Sequence, residues 1–127
     1  MNNNKGPLWK SFYHAFCGIK DNVVRERNLK IHIMIMVIVI LLGLLLKINT
    51  MEWMICLILF GLVISLELVN TAIEVTIDIY IQEFDEKAKL AKDTAAGAVL
   101  VTAFVSIVIG LIIFIPKCLE ILKSVIK

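Results

Sequence analysis

The feature that most constrains this chain is a run of 21 residues, 95–115, without one charged side chain. A helix rising 1.5 Å per residue needs about 20 such residues to cross the hydrocarbon core of a bilayer. Two further apolar stretches precede it. Residues 33–46 are uncharged, and the flanking 29–32 and 47–48 extend them to a span once Lys47 reaches out to the headgroups. Residues 53–66 are uncharged as well and run directly into Glu67, with Trp53 standing where an aromatic belt residue belongs. Hydrophobic residues make up 60% of the 127 and charged residues 19%, against about 45–50% and about 25% in soluble domains. A water-soluble fold with so few polar side chains has no way to cover its apolar surface.

The pattern therefore predicts one all-α integral membrane domain. Its parts are a surface helix within 1–28, spans over 29–48, 52–82 and 93–115, and a tail over 116–127 that begins where Pro116 breaks the helical pattern. Trp9, Phe12, Phe16 and Ile19 recur at helical spacing along the surface helix and give it an apolar stripe suited to the membrane interface. The charge-rich 82–93 stretch reads as a loop with the start of the next helix. The net charge of +2 and the absence of a basic patch with interleaved aromatics exclude nucleic acid as a partner. Cys17, Cys56 and Cys118 form no C-x-x-C pair and read as small apolar side chains. Residues 1–30 are polar before any apolar run, unlike a cleavable signal peptide.

Lysine and arginine set the orientation. Residues 1–30 hold six of them, 83–93 hold three and 47–52 hold one. The N-terminus and the 83–93 segment are expected in the cytoplasm, with the 47–52 turn outside. Lys117, Lys123 and Lys127 of the tail then fall outside, against the rule.

Chemistry concentrates in the run Glu67-Leu-Val-Asn70-Thr-Ala-Ile-Glu74-Val-Thr-Ile-Asp78. At about 100° per residue, Glu74 and Asp78 fall within roughly 20° of Glu67, and Asn70 stands about 60° to one side. Three carboxylates and an amide so share one stripe at the end of a membrane helix. Ionisable groups at that depth are costly and mark function. Like charges stacked this way call for cations between them, and Mg²⁺ takes oxygen ligands of this kind. Asp78 alone also reads as a solvated acid.

Glu26, in Arg25-Glu26-Arg27-Asn28-Leu29-Lys30, stands before the first span, where it can also pair with Lys30 across one turn. Lys92-Asp93 stands at the start of the third, where the lysine suits a phosphate and Asp93 suits a helix N-cap. Thr94, Ala98, Thr102, Ser106 and Gly110 recur every fourth residue, a seam of small side chains that lets helices approach closely in lipid. No P-loop, protein-kinase glycine loop, G-x-S-x-G or H-E-x-x-H is present.

Glu67-Leu-Val-Asn70-Thr71-Ala72-Ile73-Glu74 with Asp78 closely resembles the signature of the prokaryotic diacylglycerol kinase family, small trimeric membrane lipid kinases unrelated to soluble kinases. Lys92-Asp93-x-Ala-Ala-Gly-Ala-Val-Leu-Val and Glu26-Arg-Asn28-Leu-Lys30-Ile-His32 match its other two blocks in order, so the resemblance runs from about Trp9 to Pro116. Arg27-Asn28, Ile31-His32 and the end of the third span look like the Gram-positive branch, whose members phosphorylate undecaprenol in preference to diacylglycerol. Pro7 departs from the diacylglycerol branch, which has an arginine there.

The resemblance implies ATP and Mg²⁺ as cofactors, a homotrimer in the plasma membrane, and a site on the cytoplasmic side. It makes Glu67 the general base on the lipid hydroxyl. Glu26 and Glu74 become ligands of the divalent metal with ATP. Asn70, Lys92 and Asp93 become phosphate-positioning groups, and Glu83 and Asp85 line the nucleotide site. Lys10 falls on a basic position of the surface helix on the substrate side, and His14 on a nucleotide contact. Diacylglycerol as substrate, and a non-catalytic cation-binding oligomer, stand as the alternatives.

Overall fold

The computed structural model describes residues 7–126; the first six residues and Lys127, with their share of the surface-helix and tail expectations, lie outside the described residues. The described chain is four helices: α1 Leu8–Arg25, α2 Arg27–Leu45, α3 Thr50–Tyr80 and α4 Glu86–Ile126. Three of them, α2, α3 and α4, are long and apolar enough to cross a membrane. The chain is an all-helical membrane protein.

Helix α3 is the hub. Helix α4 packs along it most extensively, α2 packs on it as well, and α1 touches both α2 and α3. Glu26, in an extended conformation (φ −86°, ψ 120°), ends α1 and begins α2. The break between surface helix and first span so falls at Glu26, two residues earlier than the sequence pattern suggests. Trp9, Phe12 and Phe16 stay exposed along α1.

Helix α2 ends in a Schellman arrangement. The Ile48 N–H donates to the Gly43 carbonyl at 3.1 Å and the Lys47 N–H to Leu44 at 3.4 Å, with Lys47 at φ +50°. Helix α3 then begins with a capping box. The Glu52 N–H donates to Asn49 Oδ1 at 2.9 Å, and the Asn49 N–H donates to Glu52 Oε2 at 2.7 Å. Trp53 is half-buried against Gly43, where an added Cβ would lie 2.9 Å from the ring edge. Ile48, Cys56 and Ile113 form the buried cluster at this end, with Trp53 packed onto it.

Two expectations for the last helix are corrected. The cap of α4 is Asp85, whose Oδ1 accepts from the Ala88 N–H at 2.8 Å. Asp93 is therefore inside α4, and the helical part of the 82–93 stretch already begins at Glu86. Pro116 also fails to end the helix, which runs 41 residues through it. Proline removes one N–H donor, and a long membrane helix tolerates that local loss. Beyond Pro116, Lys117 Nζ lies 3.1 Å from Glu52 Oε2 with both side chains mostly covered. One lysine of the tail is thereby neutralised at the start of α3.

Candidate active site

The opposite end of α3 carries the polar stripe. Burial along α3 follows one face, through Cys56, Val63, Glu67, Asn70 and Thr71. Glu67 is 3% exposed, an acid at the end of an otherwise apolar face. The Thr71 hydroxyl donates to the Glu67 carbonyl at 3.1 Å, which satisfies the hydroxyl and leaves the carboxylate uninvolved. Asn70 Nδ2 donates to Glu74 Oε1 at 2.9 Å across one helical turn. The other side of that amide, Asn70 Oδ1, is buried without a hydrogen-bond partner.

Tertiary packing brings the start of α2 to this stripe. His32 and Glu26 from the start of α2 and Glu74 from α3 lie within electrostatic range of Glu67, and the Asn28 side chain stands beside it. Glu26 is half-buried at the α1–α2 corner, within electrostatic range of Glu67. Asn28 and His32 had no role assigned from the sequence. Their signal is that they lie four apart, on one face of α2, immediately after Glu26.

A second group forms where α3 hands over to α4. A hollow of about 300 Å³ is lined by Asp78, Glu83, Asp85, Lys92 and Asp93, among others. Lys92 Nζ reaches across to Asp78 Oδ1 at 2.9 Å. Asp78, on the hollow's wall, stands one turn after Glu74 on α3, so the hollow and the Glu67 group are neighbours. Asp85 spends one oxygen on the helix cap, and Glu83 is exposed in the connection. Lys10 and His14 stand apart on α1. Lys10 Nζ lies 5.8 Å from the Trp9 ring centre, and His14 meets Tyr13 edge-on at 5.8 Å. Among the described residues, no hydrogen bond or ion pair joins either to the α3 carboxylates.

A buried carboxylate and, near it at the end of a membrane helix, further carboxylates, an amide and a lysine are groups that can take a proton from an alcohol and neutralise phosphate charge. The family model for prokaryotic diacylglycerol kinase matches residues 13–114, which include Glu26, Glu67, Glu74 and Lys92. The chain belongs to the prokaryotic diacylglycerol kinase family. This kinase is 45% identical over 115 residues to the undecaprenol kinase of Bacillus subtilis, covering 91% of this chain and 94% of that protein. It is 35% identical over 116 residues to a diacylglycerol kinase of Synechocystis sp., covering 91% of this chain and 66% of the other. The matched region takes in every part of the site except Lys10. It is a membrane lipid kinase.

Proposed function

We propose that this kinase transfers the terminal phosphoryl group of ATP, with Mg²⁺, to the hydroxyl of undecaprenol, giving undecaprenyl phosphate. The observation that carries the reading is Glu67, 3% exposed at the end of an apolar helix face with Glu26 and Glu74 acting on it. A carboxylate there meets a hydroxyl that arrives from the bilayer. Glu67 accepts the hydroxyl proton as the oxygen attacks phosphorus, which requires an approach of about 2.6–3.2 Å in the reactive complex.

Glu26 and Glu74 supply carboxylate oxygens, and the partnerless Asn70 Oδ1 stands beside Glu74. This all-oxygen set fits Mg²⁺, which is commonly held by one or two carboxylates together with nucleotide phosphates. The metal when bound neutralises charge on the transferring group. Lys92 offers its ammonium to the phosphates from α4, and Glu83, Asp85 and Asp93 rim the hollow beside it. His14 is assigned to the nucleotide and Lys10 to the lipid side, both from α1.

Undecaprenol is preferred over diacylglycerol because the undecaprenol kinase relative is more similar over the same share of the chain. The assignment includes a homotrimer in the plasma membrane, with the site facing the cytoplasm. The six Lys/Arg of residues 1–30 and the three of 83–93 support that orientation.

The test is transfer from labelled ATP, in detergent with Mg²⁺, to undecaprenol and diacylglycerol side by side. Undecaprenyl phosphate as the favoured product is expected. Preference for diacylglycerol overturns the substrate, and no product from folded protein overturns the site. Glu67→Gln should fold and bind ATP while turnover falls by about 10²-fold or more.

A further inference from the structure

Helices α2 and α4 each pack on α3 and leave a cleft between them. It measures about 360 Å³, and its apolar walls come from all three helices, including Met36, Val39, Phe60, Val63 and Ile109. Three observations tie it to the site. His32 lines one end of the cleft and lies within electrostatic range of Glu67. Val63, on the cleft wall, lies four residues before Glu67 on the same face, one helical turn or about 6 Å away. Cys56, at the deep end, is about 16 Å from Glu67 along the axis, so the cleft runs away from the carboxylate into the membrane.

The seam of small residues on α4 borders the same cleft. Close helix packing is the ordinary use of such a seam. Ser106 and Gly110 instead line the cleft, and a Cβ added at Gly110 would meet nothing within 4 Å. Here the small side chains create width rather than contact.

We propose that this cleft seats the hydrocarbon chain next to the reacting hydroxyl, and that its width at Ser106 and Gly110 selects a methyl-branched isoprenoid chain over a straight acyl chain. The proposal rests on the lipid-kinase reading above. The occupant is a lipid tail because the cleft is apolar, lies between helices of one chain and ends one helical turn from Glu67. A tail entering it exchanges one hydrocarbon surrounding for another, so burial from water contributes no selectivity. Discrimination must come from dispersion contacts and shape, and a branched chain fills width that a straight chain leaves empty. Gly110 lies one turn from Ile113, which packs with Cys56, so it guards the deep half of the cleft.

The experiment compares wild type with Gly110→Ala, Gly110→Leu and Ser106→Leu. It reads kcat and KM for undecaprenol, for diacylglycerol and for geraniol, a two-unit prenol that fills far less of the cleft. The expected result is a graded rise in the undecaprenol-to-geraniol KM ratio, about tenfold for Gly110→Leu, with undecaprenol losing its advantage over diacylglycerol. Wild type inactive on every alcohol sinks the kinase reading itself. Active wild type with an unchanged KM ratio in Gly110→Leu overturns the cleft alone. An altered oligomeric state with unchanged KM also overturns it and assigns the cleft to a second copy. Should the leucine variants fail to fold, photolysis of a diazirine-tagged prenol on wild type decides. Labelling at Ser106 and Gly110 is expected, and labelling confined to the exposed Leu100 and Phe104 overturns the proposal.

Discussion

Lys92 Nζ and Asp78 Oδ1 lie 2.9 Å apart, joining the last turns of α3 to the first turns of α4. The side chains remain 35% and 64% exposed, so water and salt screen the pair and it does little for stability. Its effect is to hold the ammonium at the mouth of the hollow, beside Glu74.

Replacing the lysine should therefore separate binding from folding. Lys92→Met is expected to leave the melting temperature unchanged and to weaken Mg-ATP binding about tenfold. Thermal unfolding in detergent and nucleotide titration check it, and a large loss of melting temperature with intact binding would assign the lysine to the fold.

Asn70 orients Glu74 through a 2.9 Å hydrogen bond and is itself 6% exposed. Removing a partner that orients a metal ligand lowers metal affinity by about 10–100-fold. Asn70→Ala and Glu74→Gln should both shift the Mg²⁺ dependence of turnover to higher concentration. Unchanged Mg²⁺ dependence in both variants would remove this pair from the metal site.

At the other end of the bundle, Gly43 leaves no space for a methyl group. An added Cβ would stand 2.9 Å from Trp53 Cη2 and 3.0 Å from Ile48 Cδ1. Gly43→Ala should cost about 1–3 kcal/mol of stability by overpacking. Adding Trp53→Phe, which withdraws the ring edge, should recover part of that loss in denaturation measurements. No recovery in the double variant would place the clash on Ile48 instead of the ring.

Lys47 occupies the left-handed position that ends α2, at φ +50°. That conformation costs a residue bearing a Cβ about 1–2 kcal/mol and costs glycine almost nothing. Lys47→Gly should raise stability by about 1 kcal/mol without altering turnover. A fall in stability would mean that the Lys47 side chain contributes more than its backbone costs.

Several of these relationships are visible in the sequence in retrospect. Asn49-Thr-Met-Glu52 is a capping-box pattern, and it sets the start of α3 at Thr50. Asp85 and Asp93 are both good caps, and local sequence does not choose between them. The choice falls to Asp85 because the lysine-bearing residues after it pack onto α3, with Ala88 buried and Lys92 reaching Asp78. Pro116 misleads for a related reason. The stop it signals is overridden because α4 continues past it to pair Lys117 with Glu52.

What the sequence determined by itself was everything carried by helical period and by length. Uncharged runs made three spans, and the spacing of Glu67, Asn70, Glu74 and Asp78 put them along one stretch of α3, because 3.6 residues per turn leaves no other arrangement. What only the tertiary structure decided was which groups from other helices meet that stripe. Glu26, Asn28 and His32 reach Glu67 because the chain turns at Glu26 and α2 packs on α3. The cleft at Ser106 and Gly110 has the same origin. A small residue contributes space, and only the placement of its neighbours decides whether that space is filled.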